Sequence, residues 1–100
     1  MTLDDFKASA AQSGAPDGIP PALLALWHDM RGDWKEAHRL AQEIDDETGA
    51  WVHAYLHRKE GDLANAAYWY RRAHQKVAKD SLTVEWDRIA RTLLAAASGR

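Results

Sequence analysis

The chain has no cysteine, so it holds no disulfide framework, no thiolate nucleophile and no zinc-thiolate site. That absence excludes mechanisms and leaves the compartment open. No uninterrupted apolar run approaches the roughly 18 residues that a membrane helix needs. The opening Met-Thr-Leu-Asp-Asp also lacks the basic region and apolar core of a secretion signal. A cytoplasmic location with no membrane partner is the expectation. Glycine-rich phosphate loops and nucleophile signatures are missing as well, and Glu47 and Glu60 have no acid or base partner visible in the sequence. An enzyme is therefore not expected, and no cofactor is called for. Proline is confined to Pro16, Pro20 and Pro21. All three lie in the linker-like run from Gly14 to Pro21, where a fixed φ keeps the chain extended.

Apolar residues make up 46% of the chain and charged residues 28%, the balance of an ordinary globular domain. One hundred residues make one domain, able to bury only about 60–65% of its unfolded surface, so its elements must pack closely. Five tryptophans are well above average usage and are expected to fill the gaps that the many alanines leave. Net charge is −2, which does not mark a nucleic-acid binder. Arg71, Arg72, Lys76 and Lys79 beside Tyr68, Trp69 and Tyr70 form only a short basic run, which reads as a solvated face. Residues 1–50 carry four Lys/Arg against ten Asp/Glu, net −6, and residues 51–100 carry nine against five, net +4. The asymmetry is either a matter of solvated faces or a means of attracting a second copy or an acidic partner.

The organising stretch runs from Trp51 to Ala73 and reads as two helices hinged at Gly61-Asp62. Trp51, Ala54, Tyr55 and Arg58 follow i, i+3, i+4, i+7 spacing, while Val52, Leu56 and Lys59 make a second stripe, so this helix is expected to be packed on two sides. After the hinge, Leu63, Ala66, Ala67, Tyr70, Ala73 and His74 give a stripe of small and aromatic residues. Gly61 supplies the left-handed residue that ends one helix, and Asp62 caps the next. The unit occurs once before, because Gly32-Asp33-Trp34-Lys35-Glu36-Ala37 matches Gly61-Asp62-Leu63-Ala64-Asn65-Ala66 at an offset of 29 residues. Ala25 and His28 upstream correspond in the same way to Ala54 and His57. Self-similarity at such a period marks stacked helical hairpins, each unable to bury its apolar face alone.

Around this unit the spacing predicts a leading helix within 1–14, opened by a capping box of Thr2 and Asp5 and ending near Ser13-Gly14. Hairpin one covers 20–46, with Pro20 or Pro21 in its first turn and its second helix running from Asp33 to Ile44. The acidic run Glu43, Asp45, Asp46, Glu47 is a boundary, with Asp46 or Thr48 as the cap of the next helix. Hairpin two covers 48–78, and its second helix is expected to fray near Lys79-Asp80. A closing helix over 81–98, capped by Asp80 or Ser81, turns Leu82, Trp86, Ile89, Leu93 and Ala97 inward. The expected fold is one all-α domain over 1–100: five or six helices, in antiparallel hairpins stacked as a short α-solenoid.

The Gly-Asp-aromatic-x-x-Ala turn resembles that of the tetratricopeptide repeat. The run Ala67-Tyr68-Trp69-Tyr70-Arg71-Arg72-Ala73 is similar to the Trp-Tyr-Arg-Lys-Ala helix of that family's Sel-one-type relatives. The resemblance covers residues 21–76. Leu24-Ala25-x-x-His28 and His53-Ala54-x-x-His57 stand where the family has Leu-Gly-x-x-Tyr, the closing proline is missing, and the period is shorter than usual. The resemblance implies an inner groove lined by Ala22, Leu26, Asp29 and Met30 from the first repeat and by Trp51, Tyr55, Arg58 and Lys59 from the second. An aromatic pair beside two cations suits an extended peptide, with Arg58 or Lys59 meeting a carboxylate. The alternative is that Trp51 and Tyr55 pack beneath the terminal helices.

His53 and His57 stand one turn apart on one helical face, the spacing of a two-histidine metal site. His28 holds the place that corresponds to His57. No glutamate intervenes as in a zinc peptidase helix, and no Cys, Asp or Glu has an obligatory place beside them. These rings therefore also fit a structural role, each donating to a neighbouring carbonyl or carboxylate. The function expected is non-catalytic recognition of a protein or peptide, as a monomer or as a homodimer. The alternative is a small-molecule or metal-binding domain built on His28, His53 and His57.

Overall fold

In a computed structural model that describes residues 1–12 and 14–98, six α-helices succeed one another. They are α1 (Leu3–Gln12), α2 (Pro21–Met30), α3 (Trp34–Glu43), α4 (Glu47–Glu60), α5 (Leu63–Arg72) and α6 (Leu82–Ser98). The all-α expectation holds. The stop foreseen at Ser13 lies outside the described residues.

Each start has a local cause. The Asp5 amide donates to Thr2 Oγ1 at 3.0 Å, while the Thr2 amide turns back to Asp5 Oδ2 at 3.4 Å. Pro21 opens α2, where a missing amide hydrogen costs nothing. Asp33 accepts from the Glu36 amide and Asp62 from the Asn65 amide, so both aspartates of the repeated corner are N-caps. Asp46 opens α4 by accepting from the Thr48 and Gly49 amides, and Ser81 opens α6 through the Val84 amide.

The two Gly-Asp corners are built alike. Gly32 and Gly61 take φ of 87° and 93°, a conformation open to glycine without strain. Asp33 N donates to His28 O and Asp62 N to His57 O, each at 2.9 Å, so carbonyls at the end of one helix are satisfied by the start of the next. α2 is thereby folded against α3, and α4 against α5.

α4 is the centre of the molecule. It packs against α2, α3, α5 and α6, and every residue from Gly49 to His57 is buried, which matches the two apolar stripes read from its sequence. α6 lies on α2 and α4. There Trp86 Nε1 donates to the Leu26 carbonyl at 3.2 Å, and the Trp86 ring stacks on Phe6 of α1 with 5.8 Å between centroids. Below it Glu85, only 1% exposed, accepts from Arg58 Nη1 at 2.7 Å and from the Tyr70 hydroxyl. Arg58 also donates to the Asp80 carbonyl, and Arg88 forks onto the Asp80 carboxylate at 2.7 and 3.0 Å. These ties fix α6 to both hairpins.

Three expectations need correction. The second helix of hairpin two does not run to residue 78. It ends at Arg72 because His74 takes a left-handed φ of 59° and the Gln75 amide returns to the Tyr70 carbonyl at 3.0 Å, a Schellman closure made without glycine. The stripe read on this helix is not inward at its two ends: Leu63 opens α5 at 66% exposure, and His74, past the end of the helix, is exposed as well. Ala97 is also exposed, since the covered part of α6 stops at Leu94.

Candidate metal centre

The α3–α4 seam collects imidazoles. His38 comes from the middle of α3, and His53 and His57 come from one face of α4. Each residue offers one nitrogen, and the three nitrogens lie within 4.8 Å of one another. His53 Nε2 and His38 Nε2 are 3.0 Å apart, so one ring donates to the other. His53 and His57, i, i+4 neighbours on one helical face, are stacked, with centroids 4.8 Å apart and planes at 25°. His38 stands edge-on to both, at 80° and 82°.

Two indoles wall the cluster. Trp34 stacks on His38 at 4.8 Å and is held by its Nε1 donating to the Leu56 carbonyl at 2.9 Å. Trp69 of α5 stacks on His53 at 4.1 Å. The Gly61 corner brings Glu60 beside His57, with Glu60 Oε1 3.3 Å from His57 Nδ1. On the side of His53 a cleft of about 250 Å³ opens between Gln42, Asp45, Glu47, Trp69 and Arg72.

Burial shapes the electrostatics. His53 is 5% exposed and His57 7%. Desolvation, reinforced by the facing His38 and His57, pushes the His53 pKa down to about 4. His38 is lowered chiefly by desolvation and then by His57, with Glu60 opposing. Both of these rings are therefore held neutral, the protonation state that binds a metal, with one proton shared between their two Nε2 atoms. Tetrahedral bonds of about 2.0–2.1 Å set ligand nitrogens about 3.3 Å apart, so the widest pair would close by roughly 1.5 Å on binding.

The sequence candidates divide. His53 and His57 belong to this cluster, but His28 does not: it is partly exposed and meets the edge of Trp27. The reason is positional. α4 has α3 of the preceding hairpin against it, whereas α2 is preceded only by α1, which meets it through Trp27 and Arg31. His38, which is not among the candidates drawn from the sequence, takes the third place. A signal for it exists in the i, i+4 pair Trp34 and His38, which faces the i, i+4 pair His53 and His57 once α3 and α4 are folded together.

α6 covers part of the groove drawn from the sequence, as the alternative reading of Trp51 and Tyr55 expects. Leu26, Trp51 and Tyr55 are buried, and Arg58 is committed to Glu85. Asp29 is buried too, accepting from Tyr55 at 3.0 Å and from Lys59 at 2.8 Å. Burial and then the Asp29 carboxylate push the Tyr55 pKa up, so Tyr55 stays a donor. A cleft of about 330 Å³ remains between Asp29, Met30, Tyr55, Lys59, Leu82 and Trp86.

No family model matches the chain, and no curated protein or solved structure matches it significantly. Among the described residues, no helix is long and apolar enough to cross a membrane.

Proposed function

We propose that this chain binds a divalent transition-metal ion through His38, His53 and His57. The observation that carries the reading is the convergence of three imidazole nitrogens from two helices within 4.8 Å, in a seam where burial holds His38 and His53 neutral. An all-imidazole set without thiolate suits Zn²⁺, Ni²⁺, Co²⁺ or Cu²⁺ and disfavours Mg²⁺ and Ca²⁺, which prefer oxygen. Three protein ligands leave one position for water or an exogenous ligand. The role proposed for the site is one of binding.

Calorimetric titration with Zn²⁺ and Ni²⁺ tests it. One ion per chain is expected, with Cu²⁺ quenching Trp34 and Trp69, whose rings rest on two of the ligands. No heat and no quenching at a tenfold excess of metal would remove the proposal. His38→Ala takes away one ligand and is expected to weaken binding strongly.

A second reading rests on the cleft beneath α6, which retains Asp29, Met30, Tyr55 and Lys59 from the predicted groove. In this reading the hairpins are two degenerate tetratricopeptide-like repeats of a cytoplasmic module, and the cleft accepts a side chain of a protein or peptide partner. Pairing with a second copy belongs to the same reading and would bury roughly 1,200–2,000 Å² if specific. Met30→Asp is expected to abolish such binding without touching metal affinity. Light scattering that gives a constant monomer mass over a concentration series would exclude the pairing.

A further inference from the structure

Glu60 occupies a place that helix energetics disfavour. It is the last residue of α4, where the carbonyl ends of the helix repel a carboxylate. The two residues just before it, Arg58 and Lys59, are of the sign that this end prefers. Its side chain is half exposed, so it contributes little to the core. What it does touch is His57: Oε1 lies 3.3 Å from Nδ1. The contact is set by the backbone. His57 and Glu60 are three residues apart in the final turn, and that turn is closed by the Gly61 amide on Arg58 O at 3.0 Å and the Asp62 amide on His57 O at 2.9 Å. Asp62 also lies near His57, but its carboxylate is engaged as the cap of α5. Glu60 is the carboxylate left to serve the ring.

We infer that Glu60 is a positioning residue for the three-histidine site, accepting the Nδ1 proton of His57 so that Nε2 carries the lone pair that binds the ion. The inference rests on the metal-binding reading above. A ligating imidazole has one nitrogen for the metal and one proton to place, and a carboxylate on the far nitrogen fixes the tautomer, orients the ring and raises its basicity. The His53–His38 contact holds a proton between their two Nε2 atoms, which ligation through both of those atoms would have to move to an Nδ1. His57 instead has a carboxylate, Glu60, at its Nδ1. The unfavourable charge at the end of α4 then has a use that stability alone does not supply.

The test measures two things on the full chain. Long-range ¹H–¹⁵N spectra of the metal-free protein report the His57 tautomer, and competition against a chromophoric chelator reports Zn²⁺ affinity. In the wild type the Nδ1–H form is expected. Glu60→Ala is expected to shift His57 towards Nε2–H and to weaken Zn²⁺ binding about 10–100-fold. Glu60→Gln keeps an acceptor without the charge and falls between the two. The metal-free melting temperature of both variants is expected to equal or slightly exceed that of the wild type, because a carboxylate has left a helix C-terminus. A wild type that binds Zn²⁺, together with a Glu60→Ala variant that binds it equally well or keeps the wild-type tautomer, would overturn the inference alone. A wild type that takes up no Zn²⁺ would overturn the metal reading itself.

Discussion

His53 is a basic residue held where protonation is resisted, and the consequence for stability has a definite sign. Its pKa falls from an ordinary 6.5 to about 4 in the folded chain, so between those values the unfolded state binds more protons than the native state. Its contribution is complete above pH 6.5, is lost as the pH drops towards 4, and changes no further below that. The loss is at most about 3 kcal/mol from the size of the shift, and His38 adds to it in the same direction. Urea midpoints of the metal-free protein measured from pH 7.5 to 4 are expected to fall through this window, and His53→Phe is expected to flatten the fall. Glu85 presents the opposite case, a charge that is buried and satisfied. Glu85→Gln leaves Arg58, a partly buried cation, without its counter-charge and is expected to cost about 1–3 kcal/mol, read as a lower urea midpoint at unchanged slope. Neither arrangement was legible in the sequence. Glu85 and Arg58 are 27 residues apart and His38 and His53 are 15 apart, so only the packing of whole helices makes each a pair.

Among elements, what could be read depended on whether a signal was local. The caps at Thr2, Asp33, Asp46, Asp62 and Ser81 come from side-chain chemistry within three residues, and the two corners come from a glycine placed before an aspartate. The end of α5 is not legible in the sequence because its left-handed residue is His74, whose side chain gives no such warning. The covering of Trp51 and Tyr55 by a terminal helix is one of the two readings open in the sequence, and the choice is not legible there, since periodicity tells which face of a helix is apolar and not which helix it meets. Gly49 shows a tighter constraint than either corner. A Cβ there would fall 2.7 Å from Ile44 Cγ2 and closer still to the Ile44 carbonyl oxygen, because the first turn of α4 presses on the end of α3. Gly49→Ala must push backbone rather than a flexible side chain, so a loss of about 1–3 kcal/mol is expected in chemical denaturation. Gly61→Ala, strained by its positive φ in open space, is expected to cost about 1 kcal/mol. A smaller effect at Gly49 than at Gly61 would mean that the α3–α4 joint yields easily.

At the scale of the whole molecule, the three histidines belong to different halves of the chain. His38 is in the hairpin made by α2 and α3, and His53 and His57 are in the hairpin made by α4 and α5. An ion bound by all three would clamp one hairpin to the other across the seam on which α4 is centred. Because the ion binds the folded chain and finds no assembled site in the unfolded one, it adds stability by mass action, about 2.7 kcal/mol at 100 times its Kd. For a chain of this size that corresponds to a rise in Tm of roughly 10–20 °C. His38→Ala leaves the i, i+4 pair of α4 intact but cuts the link to α3. Any residual metal binding would then tie α4 only to itself. Differential scanning calorimetry with and without excess Zn²⁺ is therefore expected to show a large rise for the wild type and little or none for His38→Ala. Equal rises in the two proteins would mean that the ion sits on α4 alone and joins nothing. That result would confine the site to the two histidines whose spacing is visible in the sequence.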